Sequence, residues 1–189
     1  MTTILTLRAA VADHIRGWLP DLRECNPHPG RVNLDEVTRW GATTPAVRVA
    51  VLGIDRGAAQ DDGRTLYPIR MCAYIVTADN RGLGRDDAAL AIVETLAARL
   101  PGAAWGAAAA DLPTDVRAEN LYAGDVGRTG IALWAVTWTQ RVLLGDDILT
   151  GEDLGPVPRA VYVGWAPEIG IPHVDDYERV DVVPPEVLP

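Results

Sequence analysis

Cys25 and His28 stand three residues apart in the phrase CNPH, the spacing at which a thiolate and an imidazole hold one side of a zinc ion. A closed structural site needs four ligands, and the chain offers no matching second half. Cys72 falls in a strand-like run, and His14 lies on the polar side of a helical one. The plainer reading of CNPH is a turn stiffened by Pro27. Four Asp-Asp pairs (Asp61-Asp62, Asp86-Asp87, Asp146-Asp147 and Asp175-Asp176) have the residue type for magnesium or paired-carboxylate chemistry. Chain neighbours rarely aim both carboxylates at one point, so each pair reads as a turn, a helix start or a solvated stretch. The loop RGLGRDD lacks both the G-x-G-x-x-G spacing and a Gly-Lys-Ser/Thr ending, so it is no phosphate cradle, although Arg81 and Arg85 could hold an acidic partner. His173-x-Asp175 has no nucleophile beside it. With no G-x-S-x-G, H-E-x-x-H or credible triad, the expectation is a protein without catalytic residues, metal ligands or a cofactor.

The elements that would position these residues follow from periodicity. Ile4, Leu7, Val11, Ile15 and Trp18 recur at helical steps, which predicts a helix over 3–19, capped by Thr2 or Thr3 and stopped by Pro20. Residues 20–44 are turn-rich and read as a wandering connection with one short strand. Alternation in PAVRVAVLGI predicts a strand over 45–54, and RTLYPIRMCAYIVTA a second over 64–78, joined by a long exposed hairpin. Pro68 cannot donate to a ladder and belongs near a strand start, an edge or a bulge. Asp86-Asp87 favour a helix start, and Ala89, Val93, Leu96 and Leu100 give that helix, over 86–100, its buried stripe. The Ala-rich stretch 103–114 is ambiguous between loop and weak helix. Strands are predicted over 115–122 and 129–143, linked by AGDVGRTG. The fold class is α+β: a small, mainly antiparallel sheet of about four strands with helices packed on one face. An acidic, Pro/Gly-rich arm over 145–189 follows a domain over 1–144, and RAVYVGWAP is the arm's one β-like piece.

Composition limits the function. Of 189 residues, 48% are apolar and 23% charged, enough for a core and for solubility. No run approaches the length of a membrane span and the start lacks a basic leader, so neither membrane insertion nor secretion is expected. Two cysteines make no disulfide framework. The net charge is −9, and the last 46 residues hold 10 acids against two Arg. A chain of this sign repels phosphate backbones, so specific nucleic-acid binding is not expected.

Aromatic placement stands out more than any polar cluster. Trp134 and Trp138 share one face of the last predicted strand. Burial is the ordinary reading of each alone, yet a sheet with helices on one face leaves its other face to be covered. These two are therefore expected to meet either a second subunit or the chain's own arm. In the arm, Tyr162, Trp165, Ile169 and Tyr177 are unusual company for so many acids, and they predict a docking surface.

The order of elements and several phrases resemble the Mu-type phage tail terminator family. The matching text is the N-terminal helix, PAVRVAVLGI, RTLYPIRMCAYIVTADNRGLGRDDAALAIVETLAARL and DVRAENLYAGDVGRTGIALWAVTWTQRVLL, with GWAPEIGIPHVDDYERV in the arm. These are patterns of fold and not catalytic signatures. The resemblance implies a virion protein at the head-proximal end of the tail, assembled in the host cytoplasm. It implies a hexameric ring of self-copies that caps the tail tube protein, meets the sheath protein if the tail contracts, and offers its other side to neck or head-completion proteins. DNA would pass through the lumen without specific binding. A neck or head-completion protein is the alternative within the virion, and a soluble enzyme or ligand-binding domain the alternative outside it.

Overall fold

The apolar steps of the first segment produce α1 (Thr3–Trp18), in which Leu7, Val11 and Ile15 are completely buried. Arg16 lies in its last turn, where a cation complements the helix dipole, and bonds Asp13 at 2.7 Å. The computed structural model describes residues 3–79, 82–106, 109–121, 130–148 and 160–181. The chain divides into two units, Met1–Asp146 and Asp147–Pro189.

In the first unit β1 (Glu24–His28), α2 (Leu34–Trp40), β2 (Ala46–Ile54), β3 (Ala58–Ala59), β4 (Thr65–Ala78), α3 (Arg85–Arg99), β5 (Thr114–Asn120) and β6 (Ile131–Leu144) follow α1. The fold is α+β. Its sheet has six strands in the order β1-β2-β4-β6-β5, with β3 added on β4. All pairings are antiparallel except β1 with β2. The long strands β4 and β6 pair without a break from Thr65↔Leu144 to Ala78↔Ile131 and form the spine.

One face of the sheet carries Val47, Val49, Ile69, Met71, Ala73, Ile75, Val136, Trp138 and Val142. Against it lie α1 and the Ala89, Ile92, Val93 and Leu96 stripe of α3. The other face carries Ala50, Cys72, Tyr74 and Ala135, with Val32, Leu52 and Leu121 packed on them. At one end of that face Val37 of α2 sits on Val76, Ile131 and Leu133.

Three expectations are corrected here. The sheet has six strands, because β1 and β3 carry no period-two apolar signal of their own. The helices do not all lie on one face, because α2 crosses to the other. Finally, the face of β6 bearing Trp134 and Trp138 is the face that α1 and α3 cover. Both faces of β6 are apolar, and alternation alone does not say which one meets the helices.

Local details follow ordinary physics. Asn33 caps α2 by accepting from the Glu36 N–H at 2.9 Å, while Glu36 accepts from the Asn33 N–H at 3.1 Å. Pro68 lies inside β4, where β2 has ended, and its carbonyl accepts from the Asp55 N–H at 2.9 Å. The Ala-rich connection after α3 is pinned by buried polar bonds. The Trp105 indole donates to Gln140 Oε1 at 2.8 Å, and Gln140 Nε2 donates to the Asp111 carbonyl at 2.7 Å. Gln140 is completely buried, so these bonds satisfy groups that would otherwise be costly there.

The second unit contains β7 (Ala160–Val163) and β8 (Glu178–Asp181), paired antiparallel from Ala160↔Asp181 to Val163↔Glu178. A 3-10 turn over Ile171–Asp176 lies between them. No helix among the described residues is long and apolar enough to cross a membrane.

Candidate functional site

The half-zinc spacing does not form a site. Residues three apart on a strand point to opposite faces, and β1 separates Cys25 from His28 accordingly. The Cys25 thiol lies under α1, donates to the Ala12 carbonyl at 3.2 Å, and is pushed up by burial to about 11. His28 is buried on the other side, edge-on to Trp40 at 5.1 Å and to Tyr74 at 6.3 Å between ring centres. Its Nε2 is 3.6 Å from Glu36 Oε1, and its Nδ1 is 2.9 Å from the Gly30 carbonyl oxygen and 3.2 Å from the Gly30 nitrogen. His28 therefore sits between β1 and the capping carboxylate of α2. Cys72 is buried beside Tyr74, its thiol raised to about 12 by burial.

The acidic pairs separate in the same way. Asp62 folds onto Arg64, whose guanidinium is 2.6 Å away and holds the carboxyl below its usual range. Asp86 and Asp87 lie in the first turn of α3. His173 meets Asp176 at 3.3 Å instead of Asp175. In the RGLGRDD loop, Arg81 lies outside the described residues. Arg85 starts α3, its N–H donating to Asp79 Oδ1 at 3.1 Å and its carbonyl accepting from the Thr77 hydroxyl at 2.7 Å. A cleft at this end of the sheet is lined by Arg23, Thr44, Pro45, Thr77, Asp79 and Leu83. Among the described residues it gathers one cation and one carboxylate but no nucleophile–base pair.

The six residues expected to form an interface split into two groups. Trp138 is only 2% exposed and Trp134 is half-buried against the same core, so Trp138 is unavailable to a partner. The expectation that this pair covers an open face is overturned by the helices that occupy it. In the second unit the outcome differs. Tyr162 is 60% and Trp165 74% exposed, and Ile169 and Ile171 are exposed as well. Tyr177 is half-buried, its hydroxyl accepting from the Gly170 N–H at 2.8 Å and its ring lying against Gly164. A Cβ on Gly164 would fall 2.6 Å from that ring, so a larger residue here would push the Tyr177 ring aside. None of the side chains described in this unit is buried. An isolated two-stranded hairpin is marginal in water, and this one keeps its apolar side chains on the outside. The β7–β8 pairing itself was legible only as a single β-like piece.

The sequence reading also missed β5 as a surface. All of its residues except Val116 are exposed, and among the described residues only β6 pairs with it. The signal was present in the alternation of Asp115, Arg117 and Glu119, charges that a strand between two neighbours would not carry. No protein-family model matches this chain, and no curated protein matches it.

Proposed function

We propose that the chain is a structural protein of a phage tail, acting as tail terminators do. Copies of the α+β domain assemble as a ring on the tail tube, end its growth and join it to the neck. The resemblance of the β2–α3 and β5–β6 stretches to that family supports this reading. The observation that carries it is the 160–181 hairpin. A protein that acts alone gains nothing from holding Tyr162, Trp165 and Ile171 in water. Burying each aromatic on a neighbour would contribute about 1.5–3 kcal/mol, enough to fix a hairpin that is marginal by itself. In this reading the arm grips the next copy, the tube or the sheath. The net charge of −9 keeps passing DNA from adhering to the ring. Catalysis has no part in it.

The test is reconstitution. Tail tubes assembled without this protein should overgrow, and adding the purified chain should cap their head-proximal ends and restore a uniform length by electron microscopy. Binding to isolated heads instead of tubes would make it a neck component. Binding to neither would refute the virion reading.

A further inference from the structure

The two edges of the six-stranded sheet are treated differently. At the β1 edge Pro27 lacks a donor, the Arg8 guanidinium donates to the His28 carbonyl at 3.1 Å, and Arg16 donates to the Cys25 carbonyl. A strand so occupied is a poor template. At the other edge β5 carries no proline, and Thr114 and Asp115 begin it with a bulge, Asp115 standing at φ 53°. Beyond the bulge the strand runs regularly from Arg117↔Thr137 to Asn120↔Trp134, and the Leu121 N–H donates to the Leu133 carbonyl at 3.0 Å. Antiparallel alternation then turns the peptide groups of Arg117 and Glu119 toward β6 and those of Val116 and Ala118 outward.

From this register we infer that β5 pairs antiparallel with the β5 of a second copy, about a two-fold axis at Ala118. The side chains select that axis. Arg117 and Glu119 lie on one face of the strand, opposite Thr137 and Ala135. With the axis at Ala118, Arg117 of each copy stands across from Glu119 of the other, giving two unlike pairs. Moving the axis to residue 117 sets Arg117 against itself and Asp115 against Glu119. Moving it to residue 119 sets Glu119 against itself. Like charges directly opposite are destabilising, so of these three registers only the central one is complementary. An axis at Val116 would also set Asp115 against Arg117, but it draws the bulge around Asp115 into the ladder. On the other face Ala118 meets Ala118, which lets the backbones approach. The outward-facing residues also meet in this register, as a hydrogen-bonded ladder requires. The pairing is two-fold and so closes on itself as a dimer, and it covers an edge that, among the described residues, only β6 pairs with. It does not rest on the function proposed above.

Sedimentation of the full chain tests it. The wild type should run at twice its 20.3 kDa mass. Arg117→Glu alone and Glu119→Arg alone each replace two attractions by two repulsions and should weaken dimerisation at least about tenfold. The double exchange should recover the dimer, which a merely misfolded variant would not do. Ala118→Cys should cross-link to itself under mild oxidation, since paired strands hold such positions about 5.5 Å apart. The native cysteines are buried and do not compete. A wild type that stays monomeric at every concentration would overturn the inference. So would single exchanges that dimerise normally, a double exchange that stays monomeric, or an Ala118→Cys chain that never cross-links.

Discussion

At the scale of single residues, the chain uses its would-be chemical groups as structure. Cys25 and Cys72 are thiols in apolar surroundings, and burial raises them from an ordinary 9.0 to about 11 and about 12. Tyr74 rises from 10.0 to about 12, first through burial and then through the neighbouring Cys72. The folded state therefore holds these protons more tightly than the unfolded chain does. Their contribution is intact below about pH 9 and is lost as pH rises from there toward about 12. Urea midpoints should accordingly hold between about pH 7 and pH 8.5 and fall steeply above, and a Cys25→Ala/Cys72→Ala variant should flatten part of that fall. A midpoint independent of pH up to about 11 would contradict the burial of these groups. Both thiols should also resist a disulfide reagent until the protein is unfolded.

At the scale of elements, what was legible followed from length and period. α1, α3, β2, β4 and β6 each hold enough apolar residues at a fixed step to be read directly, and their ends lie within a few residues of the reading. β1 was legible only as one short strand somewhere in residues 20–44, because Glu24–His28 owes its place to parallel pairing with β2 and not to any pattern of its own. α2 was missed although Asn33-x-x-Glu36 is a capping-box spacing, since Pro and Gly around it dominate the text. Asn33→Ala should therefore cost about 1 kcal/mol in a chemical melt, an effect absent if this segment were the loop that its composition suggests. The long hairpin between β2 and β4 holds a similar lesson. A Cβ on Gly57 would lie 2.6 Å from Thr65 Cγ2 and 2.8 Å from the Tyr67 ring. Gly57→Ala should destabilise the domain by about 1–3 kcal/mol through that overlap, whereas alanine at the open position Gly102 should be close to neutral there. Equal effects at the two glycines would show that the aromatic does not pack on the turn.

At the scale of the whole molecule, the core and the charge belong to different parts of the sequence. Among the described residues, every buried side chain of the main core lies between Leu7 and Val142. The last 46 residues hold 10 acids and two Arg, and their described side chains bury nothing. In the arm, Tyr162, Trp165 and Ile169 are exposed among the acids, as a docking surface would need them to be. The Trp134 and Trp138 half of the interface reading failed because a strand covered on both faces looks the same from either side. This division leads to a specific result for a chain ending at Gly145. The α+β domain keeps all of its main core, so its thermal midpoint should move by no more than about 2 °C, the range of a small surface change. Its net charge becomes −1, which should raise its isoelectric point sharply and reduce its solubility near neutrality. If the arm is the docking element, the shortened chain should stay folded while failing to cap tail tubes. A large drop in the midpoint would mean that the domain needs the arm for its own stability, and normal capping by the shortened chain would remove the arm from the assembly contact altogether.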